Sequence, residues 1–286
     1  IGGWTTDNLS WRWLFFINIP IGMVAAFVCY GILRRRETRR VRVPVDVIGL
    51  VLLVIGVGAL QFMLDNGNDK DWFASPLITT SAVIATVCLV VLIAWELTDR
   101  HPVLDLHLFK HRNYSVGVAA TCLGFASFFG IVVVHPIWLQ TTVGYNATWA
   151  GYATAPVGIF GLLLMPLVGK FLNRMNLRLL ISFGFAVLAS VMFMMSSLNA
   201  DASFIQQATP RLIQGVGLAC FFLPLQQVLF SDVRAEELAS ASGLGNFLRN
   251  ISGSISTAVS VWLWSERTEY HHATLVDQLH DDGAWQ

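Results

Sequence analysis

Apolar runs of about twenty residues recur eight times along this chain, and no other feature limits its folding so strongly. They cover 13–33, 45–65, 77–97, 115–139, 150–170, 178–198, 208–230 and 243–265. A helix rising 1.5 Å per residue needs roughly twenty residues to cross a hydrocarbon core of about 30 Å, so each run is long enough to span a bilayer. With 55% hydrophobic and 13% charged residues and a mean hydropathy of +0.61, a soluble core is a poor alternative. The expected class is all-α, a polytopic membrane bundle of eight transmembrane helices.

The cations between the runs fall on alternate connections. One side collects Arg34, Arg35, Arg36, Arg39, Arg40, Arg42, Arg100, Lys110, Arg112, Lys170, Arg174, Arg178 and Arg234. The other holds only Arg12, Lys70 and Arg267, while Arg211 and Arg249 fall inside runs. By the positive-inside rule the first set is cytoplasmic and both chain ends face outward. Eighteen cations against eighteen anions give no case for nucleic acid, and the Arg34–Arg42 loop reads as a topogenic anchor beside anionic lipid. Cys29, Cys88, Cys122 and Cys220 all lie within runs and have no ligand partner at metal spacing, so they read as packing residues.

Ile1 is not a methionine, and the polar tail after 265 reads as awaiting another helix, so the chain is expected to be an internal piece of a longer transporter. Its expected organisation is three spans within 1–97, a cytoplasmic linker over 98–114, a five-span bundle over 115–265 and an outward loop over 266–286. Pro102 bars a continuous helix through the linker. In the tail, His271, His272, Asp277, His280, Asp281 and Asp282 read as a solvated loop rather than a metal site.

Four separated motifs carry a family resemblance. Trp11-Arg12-Trp13-Leu14-Phe15-Phe16-Ile17-Asn18-Ile19-Pro20-Ile21-Gly22, preceded by Gly2-Gly3, resembles the fifth-to-sixth-helix junction of fourteen-span major facilitator drug:proton antiporters of the EmrB/QacA type. Trp95-Glu96-Leu97-Thr98-Asp99 with His101-Pro102-Val103-Leu104-Asp105-Leu106 and Leu108-Phe109-Lys110 resembles the linker before that family's ninth helix. Gly144-Tyr145, Ala147-Thr148-Trp149-Ala150-Gly151 and Ala155-Pro156-Val157-Gly158 resemble its ninth-to-tenth junction, and Ala219-Cys220-Phe221-Phe222 with Pro224-Leu225 its twelfth helix. The similarity covers essentially the whole chain and is nearest the EmrB branch. It implies proton-driven efflux of hydrophobic or amphipathic drugs across the bacterial inner membrane, with a periplasmic adaptor and an outer-membrane channel as partners in a tripartite pump. No cofactor is implied.

Single residues give narrower expectations. Asn18 and Pro20 serve helix packing or a bend that lets half-bundles rock. Gly169-Lys170-Phe171-Leu172-Asn173-Arg174-Met175-Asn176-Leu177-Arg178 resembles a worn copy of the superfamily's cytoplasmic loop signature. Gly169, Arg174 and Arg178 match, whereas Asn173 replaces an acid, and both a positive anchor and a conformational latch stay open. Arg211-Leu212-Ile213-Gln214-Gly215-Val216-Gly217 resembles an element usual in helix four of the other half. An arginine inside a span must face a cavity or snorkel outward, and Gln214 at i+3 shares its face. His135 is either a packing residue or a titratable group near Pro136 and Gln140. The small residues of the last run, with Ser252, Ser256 and Ser260 at every fourth place, suit close helix contact.

Asp46, Asp65, Glu96 and Asp99 lie at the ends of runs, and no Asp or Glu stands near the middle of any. The resemblance puts the proton-carrying acid in amino-terminal helices outside this chain. The cargo is then expected to meet aromatic walls, among them Phe128, Trp138 and Phe222, and sparse amides from Gln140, Gln214 and Gln226. No phosphate loop, HExxH or nucleophile-plus-base pair argues for an enzyme. A single-metabolite exporter on the same fold is the nearest alternative, and a non-transporting scaffold or enzyme the more distant one.

Overall fold

A computed structural model describes residues 2–34, 46–99 and 102–281. The basic run 35–42, Arg100 and His101 of the linker, and Asp282 of the tail lie outside the described residues. Every regular element among the described residues is helical, as the apolar runs require. In chain order the α-helices are α1 (Gly2–Asn8), α2 (Trp13–Phe16), α3 (Asn18–Leu33), α4 (Val47–Asn66), α5 (Pro76–Glu96), α6 (Arg112–Thr141), α7 (Ala147–Thr154), α8 (Pro156–Phe171), α9 (Leu177–Ser196), α10 (Phe204–Leu229) and α11 (Leu238–Asp281).

Among the described residues seven helical stretches, not eight, are long and apolar enough to cross a membrane. α2 and α3 together make one of them (Trp13–Leu33), and α7 with α8 make another (Ala147–Phe171). The break between α2 and α3 follows from Pro20, which has no N–H to give the Phe16 carbonyl and therefore sits in the first turn of a new helix. The eighth run, 243–265, is helical but diluted by Asn246, Arg249, Asn250 and a series of serines. The expected loop after it is also helical, because α11 continues through Asp281 without a proline or glycine to stop it.

The chain divides into two compact units, each assembled from distant segments: Ile1–Pro44 with Pro136–Pro224, and Val45–His135 with Leu225–Gln286. Both helices that run from one unit to the other, α6 and α10, carry an interior proline at the point of passage, Pro136 and Pro224.

In the first unit α1 packs on α7. A side chain at residue 3 would collide with the Ala147 carbonyl, so the approach requires Gly3. The Asp7 carboxylate accepts from the Thr148 amide at 2.8 Å and from its hydroxyl at 2.6 Å. With Asn146 accepting from the Trp149 amide, two open N–H groups of the α7 amino terminus are satisfied. Leu139, Ala150 and Ala153 form a small core there, with Trp138 and Phe204 against it.

In the second unit α4 and α5 form an antiparallel hairpin closed by two 3₁₀ turns, Asn68–Lys70 and Trp72–Ala74. Asp46 caps α4 through the Gly49 amide and accepts from the Trp95 indole at 3.0 Å. Glu96, fully buried at the end of α5, accepts from the Leu104 amide at 3.1 Å and so fastens the linker back onto the hairpin. Leu104 and Leu108 then enter a core with Leu92, Tyr114 and Leu244. The Tyr114 hydroxyl donates to the Ala241 carbonyl at 2.9 Å, and the Ser252 and Ser256 hydroxyls donate to the Cys122 and Ala126 carbonyls of α6. The serine stripe therefore joins α11 to α6 by hydrogen bonds as well as by close packing.

Candidate functional site

A polar stripe on α10 dominates the first unit. Gln207, Arg211 and Gln214 follow one another at i, i+4 and i+7, which places them on one helical face. Gln207 and Gln214 are fully buried and Arg211 is 2% exposed. An Arg211 Nη donates to the Gln214 Oε1 at 2.9 Å. Neither amide atom of Gln207 has a hydrogen-bond partner, nor has the Gln214 amide nitrogen. One amide wholly unpartnered and one half-engaged, on the face that carries a guanidinium, form a site with spare donors and acceptors, which is what a polar group on a passing ligand or a water would meet.

Neighbouring helices hold this face in place. Gly215 lets α10 approach α8 so closely that a Cβ there would collide with the Val157 carbonyl. Further along the stripe Phe221 is fully buried, with Phe185 edge-on at 4.8 Å and half-buried Phe222 at 5.2 Å. The stripe is thus polar in its first half and aromatic in its second.

The other expected residues are distributed as follows. Gln140 is exposed and its amide donates to the Pro136 carbonyl of its own helix at 3.0 Å. Trp138 is half-buried against the core around Leu139. Asn18 is exposed and donates to the Leu14 carbonyl at 2.9 Å, bridging the α2–α3 break, and Pro20 is exposed in the turn that follows. Gly169, Arg174 and Arg178 are exposed, and Asn176 caps α9 through the Arg178 amide at 3.1 Å. Beside them an apolar groove of about 760 Å³ runs along α8 and α9 with Arg174 in its wall.

In the second unit His135 is 6% exposed on α6, and Phe128 lies edge-on to Phe129 at 5.7 Å. Gln226 lines a small cavity whose walls include Arg249 of α11. Sequence reasoning missed Gln207 and the cavity. An amide four residues before Arg211 was the available signal for the first; nothing in the sequence pairs Gln226 with Arg249.

The sequence profile of the Major Facilitator Superfamily matches residues 1–257. The chain is 44% identical over 280 residues to the multidrug export protein EmrB of Haemophilus influenzae, covering 98% of this chain and 55% of that protein. It is 43% identical to the fatty acid resistance protein FarB of Neisseria gonorrhoeae and 43% identical to EmrB of Escherichia coli K12, with 98% of this chain and 55% of each relative covered. The chain thus spans about half the length of the curated relatives it matches.

Proposed function

The chain belongs to the Major Facilitator Superfamily, a multi-pass membrane family, and from that premise we propose that it forms part of a proton-driven exporter of hydrophobic or amphipathic drugs. The observation that carries the reading is the buried face of α10, where a cation and two amides sit in a membrane-crossing helix amid apolar and aromatic side chains. A charge buried in a membrane helix costs roughly 2.5–3.5 kcal/mol at mid-span, so such a group is retained for work on a polar pathway. Apolar walls with few polar contacts suit loose selection among amphiphiles. Relatives named for multidrug export and for fatty acid resistance support a cargo of that kind.

Arg211, Gln207 and Gln214 are the groups proposed to meet cargo or to bias a proton site; His135, Gln140, Phe128, Trp138, Phe222 and Gln226 are proposed for substrate binding or translocation. Asn18, Pro20, Gly169, Arg174 and Arg178 are proposed to act in conformational change. The membrane is the bacterial inner membrane, with both ends of this chain on the periplasmic side and the 35–42 run in the cytoplasm. A periplasmic adaptor and an outer-membrane channel complete the pump.

The test is uptake of ethidium into everted vesicles containing the transporter as encoded. A pH gradient should drive it and its collapse should stop it; accumulation that ignores the gradient would remove proton coupling. Orientation is read separately by thiol labelling from outside, where a cysteine at Asp69, exposed in the same connection as Lys70, should react and one at Arg36 should not.

A further inference from the structure

Arg249 is a cation without a counter-charge among the described residues. It lies half-buried on α11, and its Nε is enclosed and donates to nothing. No described carboxylate pairs with it. Its guanidinium carbon stands 4.5 Å from the centroid of the Phe125 ring, a contact that fixes the group in place and leaves its charge uncompensated.

The guanidinium borders a cavity of about 30 Å³, whose other polar walls come from Thr121, Gln226, Ser242 and Asn246. One water needs roughly 10–15 Å³ of such space, so the cavity admits a pair of oxygen atoms and not a drug-sized body. No Asp or Glu lines it. Thr121 donates to the Gly117 carbonyl and Asn246 to Ser242, which leaves those two side chains engaged. The donors of the lining that no described residue takes up are the guanidinium, the Gln226 amide and the Ser242 hydroxyl, which accepts from Asn246 and donates to nothing among the described residues. Three such donors, a net positive charge and room for two oxygens define a complement to an oxyanion.

We propose that Arg249 and Gln226 bind the oxyanion head group of an amphiphilic weak acid, whose apolar body lies outside the cavity. This rests on the reading of the chain as an exporter of amphiphiles. Inorganic phosphate is the inorganic source of the same oxyanion chemistry, and the test separates the two.

The probes are 1-pyrenebutyrate and its neutral amide, bound to the purified transporter as encoded and followed by pyrene fluorescence. Arg249→Gln should weaken the acid roughly tenfold or more, the loss expected for a charge-assisted hydrogen bond, and the amide less than about twofold. Arg249→Lys, which keeps the charge but not the fork, should retain part of the acid's affinity. Gln226→Leu should weaken the acid severalfold. Thermal unfolding with and without inorganic phosphate forms the second arm: stabilisation by phosphate that disappears in Arg249→Gln, with both probes unaffected, assigns the site to an inorganic oxyanion and overturns the head-group reading. Equal weakening of acid and amide, or no response from either probe or from phosphate, overturns the site. Ethidium efflux by the wild-type protein is measured alongside; its absence with an acid-selective loss intact would sink the exporter reading and leave the anion site standing.

Discussion

Two membrane-crossing stretches, one wholly in the first unit and one that lies in it as far as Pro224, are similarly apolar in sequence and opposite in surroundings. Trp13–Leu33, with a mean hydropathy of 2.0, has no buried residue in its apolar window; Phe204–Leu229, at 1.6, is 56% buried. The first presents Ile21, Val24 and Phe27 to its surroundings, and its one amide, Asn18, turns back onto its own backbone. The second hides an arginine and two glutamines. A polar residue in a membrane helix is thus solved in two ways: self-satisfied on an exposed helix, or held by neighbours on an enclosed one, and only the second leaves bonding capacity for something else.

The strongest way to break this contrast is Arg211→Ala in the transporter as encoded. Initial efflux should fall about tenfold or more at matched membrane abundance, as for loss of a buried charge-assisted contact, with Arg211→Lys partly active. Normal pumping by the alanine variant would put α10 in the same class as α3. Gln214→Leu, which removes the 2.9 Å acceptor of the guanidinium, should cost severalfold in rate. Gln207→Leu sharpens the point because its amide is buried and unsatisfied: the variant should unfold at higher temperature, by an amount on the order of 1–3 kcal/mol, yet pump more slowly. A gain in stability with unchanged efflux would make Gln207 a packing defect rather than part of the pathway.

Smaller effects should come from glycines. Gly215→Ala places a methyl against the Val157 carbonyl and should lower stability by about 1–3 kcal/mol in thermal unfolding. Gly22→Ala in α3 meets nothing within 4 Å and should be neutral or stabilising by up to about 1 kcal/mol. Matching losses at the two positions would show that α3 is enclosed after all.

The spans were legible because twenty consecutive apolar residues have few other uses. The run 178–198 became Leu177–Ser196 and 77–97 became Pro76–Glu96, with ends set by Asn176 as a cap and Pro76 at the first turn. The length of α11 was not legible, since hydropathy marks where a helix may cross lipid and is silent about where it stops. Arg211 with Gln214 could be read from their i, i+3 spacing, a property of one helix. The partnership of Arg249 with Phe125 and Gln226 joins three helices, and a single sequence holds no record of which faces meet.

The cap that Asp7 places on α7 has a consequence in time. Its two partners are 141 residues apart, and a ribosome adding roughly 5–20 residues per second needs roughly 7–28 s to travel from one to the other. During that interval α1 has emerged and the helix it caps does not yet exist, so its carboxylate and the bare Gly3 surface must wait at the membrane surface. Any pause in translation between these two codons lengthens the wait, and assembly of the first unit is finished late however early its first residues appear.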